Sequence, residues 1–163
     1  MKNILLITTI CILIACNQQS AQSLWNNASK MRLEKDLKGA VINLELIIRD
    51  FPKSQLAGKA QFELAEIFLN DIKDYDFAIE HFDKVITNHP TNEIAKNALF
   101  MKGYIYNNYL ESYSEAIIHY NIFLEKYPND DLIPSVQYEI DGLNIIQQQI
   151  DSLNSLVTKK IKS

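Results

Sequence analysis

Thiols are almost missing from this chain of 163 residues: its two cysteines, Cys11 and Cys16, both fall within the first sixteen positions. The body therefore has no cysteine for a disulfide, a redox couple or a zinc site. Glycine occurs only four times, at 39, 58, 103 and 142, too sparsely for a phosphate-cradling loop or a dinucleotide fingerprint, and no nucleophile-elbow motif is present. Basic residues are not in excess. Sixteen Lys and Arg against 20 Asp and Glu leave a net charge of -4, the wrong sign for a surface that binds a phosphate backbone, so nucleic acid is excluded as a partner. No apolar run reaches the roughly 20 residues of a membrane-spanning helix. What remains is 47% hydrophobic and 22% charged with only four prolines, a composition that fits one compact, all-α domain.

The longest apolar run is at the start. Met1-Lys2-Asn3 precedes Ile4 to Ala15, interrupted only by Thr8 and Thr9, and a basic start followed by a short apolar stretch reads as an export signal. Its end, Leu13-Ile14-Ala15-Cys16, resembles the bacterial lipobox. That resemblance implies a lipoprotein signal peptide over 1–15, a lipidated linker over 16–23, and Cys16 as the acylated N-terminus anchoring the chain in a membrane. Two or more acyl chains hold a protein stably. Asn17 after the cysteine resembles lipoproteins sorted to the outer membrane, facing the periplasm. An ordinary secretory signal cut near Ala21 is the alternative.

Beyond the signal the chain repeats itself every 38 residues. Pro52, Pro90 and Pro128 keep this spacing, as do Ala40, Ala78 and Ala116, and Leu44, Phe82 and Tyr120. Phe51, His89 and Tyr127 precede the prolines; Ala60, Ala98 and Val136, then Phe62, Phe100 and Tyr138, follow them. Apolar residues recur three and four apart within each unit, which specifies amphipathic helices. Each unit reads as a helical hairpin. The central one is expected to run over 55–70 and 76–88, with Ser54 and Asn92 as N-caps and turns over 70–75 and 109–114. Ala65, Gly103, Ala78 and Ala116 stand at matched phase, where small residues let helices approach closely.

The run from Ala95 through Gly103 to Tyr106, then Tyr113-Ser114-Glu115-Ala116 and Lys126-Tyr127-Pro128, resembles a tetratricopeptide repeat. The period of 38 is similar to that of bacterial envelope lipoproteins of the BamD type and of Tol-Pal accessory repeat proteins. Phe51-Pro52-Lys53-Ser54 matches the junction those families use. The resemblance spans about 24–142 and implies a solenoid of about three and a half repeats, with Lys102 standing where the motif has Leu. It also implies an adaptor that binds envelope proteins or peptides on a concave face. The matching residues are Lys59, Phe62, Glu66 and Asn70, then Asn97, Phe100, Tyr104 and Asn108. Phe62 and Glu66 replace the basic and amide residues that other family members use to clamp a C-terminal carboxylate, so such tails are not expected to bind.

No enzyme is expected, and no cofactor or metal. His81 and His119, 38 apart, fall on an outward-looking face of successive second helices, and His89 takes the aromatic place before Pro90. No three or four ligands converge on any of them in the pattern, as zinc needs. Over 143–163, Leu143, Ile146, Ile150, Leu153 and Val157 form an apolar seam of two heptads. Its expected use is a helix capping the last repeat, with a homodimer contact as the alternative. Lys159, Lys160 and Lys162 would then sit favourably at a helix C-terminus.

Overall fold

The computed structural model describes residues 19–91 and 93–162. All regular structure among them is helical: α1 (Ala21–Leu33), α2 (Leu37–Asp50), α3 (Gln55–Glu66) continued by a π-helical segment (Ile67–Ile72), α4 (Tyr75–Asn88), α5 (Glu93–Asn108), α6 (Tyr113–Lys126) and α7 (Ile133–Lys162). The chain divides into two compact units, 1–60 and 61–163. Residues 1–18, including the expected signal and Cys16, lie outside the described residues, as does the expected cap Asn92.

In the first unit α1 and α2 form a hairpin around Leu24, Ala28, Ala40, Leu44 and Ile47, all buried. Ser20 caps α1 by accepting from the Ser23 amide, so that helix opens at Ala21, three residues ahead of the expected repeat start. Asn43, on the buried side of α2, donates to the Gly39 carbonyl at 2.8 Å.

The second unit stacks α4 on the π-segment and α5, α5 on α6, and α6 on α7. Two apolar clusters fill it. One joins Ala65, Leu69, Ala78, Phe82, Val85, Ala98 and Ile105; the other joins Leu99, Ala116, Tyr120, Phe123, Val136, Ile140 and Leu143. The 38-residue columns are therefore core columns. Ala40, Ala78 and Ala116, like Ile47, Val85 and Phe123, are fully buried. Tyr138 departs from its column and stands exposed.

The turns obey the same period. Among the described residues, Lys35, Lys73 and Glu111, spaced 38 apart, are the non-glycine residues with positive φ, at 65°, 63° and 51°. Each closes a first helix in the left-handed region and hands the chain to an N-cap, namely Asp36, Asp74 or Ser112. Asp36 and Asp74 accept from the amides three residues on, those of Gly39 and Phe77, satisfying donors that the helix start leaves orphaned. At the other end Phe51, His89 and Tyr127 are C-caps with φ of -129°, -131° and -128°, and a proline follows each.

Three boundaries differ from the sequence expectation. The helix expected over 55–70 turns π-helical at Ile67 and runs to Ile72. That wider turn buries both Ile67 and Leu69 and sets Phe68 between Phe77 and His81, with ring centroids at 5.2 and 5.4 Å. α6 starts at Tyr113, inside the expected turn. α7 begins at Ile133, ten residues before the expected capping helix, and its first three turns do the capping through Val136, Ile140 and Leu143. Of the expected seam Leu143 is buried and Ile146 half-buried, whereas Ile150, Leu153 and Val157 are 37%, 62% and 57% exposed. Helix lengths explain this. α6 has 14 residues against 30 in α7, about 21 Å against about 45 Å, so α7 outruns the surface it packs on. Lys96 anchors the loop before α7 by donating to Asp130 at 2.7 Å.

Candidate functional site

The residues expected on the concave face behave differently from one another. Lys59 is exposed on the part of α3 that belongs to the first unit. Phe62 is half-buried, edge-on to Phe82 at 5.1 Å, so it serves the core as much as a surface. Glu66 is half-buried and Asn70 is exposed on the π-segment. On α5, Asn97, Phe100 and Tyr104 are half-buried and Asn108 is exposed, its amide folded back to donate to the Tyr104 carbonyl at 3.0 Å.

Around Phe100 and Tyr104 four elements of the second unit build a continuous aromatic strip. Tyr75, at the start of α4, stacks on Tyr109 at 4.8 Å. Tyr109 meets Tyr104 edge-on at 6.0 Å, Tyr104 stacks on Phe100 at 6.5 Å, and Phe100 tilts against Tyr120 of α6 at 5.9 Å. Glu139 of α7 closes one end, accepting from the Asn107 side-chain amide at 2.8 Å. The motif phase does not mark Tyr75, Asn107, Tyr109, Tyr120 or Glu139 as site residues. It points to four positions on each first helix, whereas these come from second helices, from the loop after α5, from the capping helix and, for Asn107, from another position of α5.

The strip is electronegative at that end. Burial foremost raises the Tyr104 hydroxyl's pKa, followed by Tyr109 and the Glu139 carboxylate. Burial and then Glu139 raise that of Tyr120 strongly. The Tyr120 hydroxyl lies near the Asn107 amide, but that amide is committed to Glu139, and the hydroxyl has no well-formed hydrogen bond although the residue is fully buried. An unsatisfied buried hydroxyl costs free energy.

Further polar groups lie between the helices. Lys102, where the motif has Leu, is 7% exposed and donates to Asp83 at 2.5 Å. His81 is buried rather than outward-facing, paired through Nδ1 with the Gln61 side-chain amide and stacked on Phe68. His119 is half-buried and stacked on Tyr106 at 5.2 Å. These faces pack against the preceding helix, so both rings are drawn inward, and burial lowers the pKa of each. Among the described residues no three His, Cys, Asp or Glu side chains are grouped to hold a metal ion.

Comparison with known proteins agrees with this geometry. No curated protein matches the chain. A tetratricopeptide-repeat family model matches residues 97–130, which cover most of α5, all of α6 and the turn after it. A second, YfiO, described as outer membrane lipoprotein, matches residues 17–109, more than half of the chain. With its 38-residue helical hairpins and its lipobox-like start, the chain belongs to the outer membrane lipoprotein family of tetratricopeptide-repeat type.

Proposed function

We propose that this protein is a lipid-anchored adaptor of the cell envelope, held at the outer membrane through Cys16 and facing the periplasm, that binds other envelope proteins or peptides on the first-helix face of its repeats. It has no chemistry of its own. The part of the aromatic strip from Tyr75 to Phe100 carries the reading: solvent-reachable rings on a preformed helical scaffold are what protein-binding surfaces enrich. Outer-membrane assembly or maintenance is the process we propose; the family's description as outer membrane lipoprotein supports the location.

Affinity purification of the tagged full-length lipoprotein from its own envelope in mild detergent, followed by mass spectrometry, tests it. Recovery of barrel-assembly or Tol-Pal proteins, lost in Tyr104→Ala and diminished in Cys16→Ser, is the expected result. Recovery unchanged by Glu66→Arg combined with Tyr104→Ala removes the proposed face.

A second reading, self-association as an envelope scaffold, is favoured by one feature, the exposed apolar stripe of α7. It includes Ile150, Leu153, Leu156, Val157 and Ile161. A concentration-dependent dimer abolished by Leu153→Asp supports it; a monomeric mass up to high micromolar concentration ends it.

A further inference from the structure

The occupant of the aromatic strip has a definable chemistry. Two features of the site bear on it, and each is independent of the family. The surface-reaching rings of Tyr109, Tyr104 and Phe100 follow one another at 6.0 and 6.5 Å. Side chains on one face of an extended strand recur at about 6.7 Å, two residues at roughly 3.3 Å each, so alternate side chains of an extended segment keep step with the rings. Glu139 is the ionised group that acts on both the Tyr104 and Tyr120 hydroxyls, and only one side-chain amide, from Asn107, donates to it in the contacts seen. A carboxylate has lone pairs for further donors.

Aromatic faces attract cations, and arginine above all, because its planar guanidinium stacks on a ring while its edge donates in a fork to a carboxylate. Lysine meets only the charge requirement, and an acidic ligand would face Glu139 directly. We infer that the strip takes an extended segment of a partner protein, placing an arginine side chain against Tyr104 with its guanidinium on Glu139 and apolar side chains along Phe100 and Tyr109. This inference rests on the protein-binding reading of the same face and adds the chemistry of what is bound.

Three fluorescently labelled, acetylated peptides of alternating serine and valine test it, identical except that one valine is replaced by arginine, norleucine or glutamate. Anisotropy titrations use the full-length lipoprotein in mild detergent. The arginine peptide is expected to bind about tenfold more tightly than the norleucine peptide, the glutamate peptide most weakly, and the arginine preference to fall with added salt. Glu139→Gln should abolish the preference while leaving norleucine binding in place. Equal binding of the arginine and norleucine peptides to the wild type overturns the arginine assignment but keeps the surface. Failure of all three peptides to bind up to millimolar concentration overturns both. Should Glu139→Gln lower the melting temperature, the wild-type ranking and its salt dependence decide the matter alone.

Discussion

A Cβ built on Gly103 falls 2.5 Å from Cε1 of Tyr120. The glycine in the middle of α5 is thus the floor on which the one hydroxylated ring of the Leu44, Phe82, Tyr120 column lies. No side chain fits between them, and Tyr120 is fully buried, so it has nowhere to retreat.

Gly103→Ala is therefore expected to destabilise by about 1–3 kcal/mol through overpacking, despite alanine's better helix propensity. Gly142 is the internal control: a Cβ there meets nothing within 4 Å, and Gly142→Ala should stabilise by about 0.5–1 kcal/mol. Urea denaturation of the two variants should move the midpoint in opposite directions. A gain in stability for Gly103→Ala would mean that the ring can shift.

Lys102 and Asp83 are unequally exposed, the lysine side chain at 9% and the aspartate at 50%. Asp83→Ala leaves a buried ammonium with little but water at its edge and should cost about 1–2 kcal/mol. Lys102→Leu restores the residue that the central repeat carries at this place, buried Leu64, and should be neutral or stabilising by about 1 kcal/mol. Equal losses in both variants would refute this asymmetry.

The histidines make the fold acid-sensitive. Burial holds the folded-state pKa values of His81 and His119 below the ordinary 6.5, with Lys84 and Lys102 adding to the depression and Glu80, Asp83 and Glu115 opposing it. Below about pH 6.5 the unfolded chain takes up protons that the folded chain refuses. Stability is then complete above that pH and declines as pH falls towards the folded-state values, by at most about 1.4 kcal/mol per pH unit for each proton. Protonation of His81 at Nδ1 would also set two donors face to face with the Gln61 amide as it stands. Denaturation midpoints at about pH 7.5 and about pH 5.5 should diverge in the wild type and converge in a His81→Gln, His119→Gln double variant.

Ala78 and Ala116 open successive second helices and are fully buried. Glutamate at either would bury a charge without a partner at a helix crossing, costing about 3 kcal/mol or more. A melting temperature unchanged in Ala116→Glu would show that the crossing is looser than its burial indicates.

The period was legible because packing obeys it: the same column supplies Ala40, Ala78 and Ala116 to three crossings, and an amphipathic stripe cannot hide a 38-residue register. The left-handed links were not read although they obey it equally, since Lys35, Lys73 and Glu111 share a backbone conformation and not a side-chain type. The π-segment has no compositional mark. His81 was placed outward because histidine is polar, when stacking on Phe68 and pairing with Gln61 make it a core residue. On the candidate surface the motif phase found Phe100 and Tyr104. It missed Tyr75, Tyr109, Tyr120 and Glu139, whose approach depends on how α4, α6 and α7 stack on α5.

From Gln147 to Ile161 α7 stands exposed, a stretch of helix about 22 Å long. An isolated helix of that length is marginal in water, so its amides should exchange with solvent orders of magnitude faster than those of the three turns carrying Val136, Ile140 and Leu143. Any molecule that lies along the stripe of Leu153 and Val157 must also supply the order the stripe lacks. Its arrival would be recorded as slowed deuterium uptake confined to the last four turns, a reporter of occupancy that needs no label and that works inside an intact envelope extract.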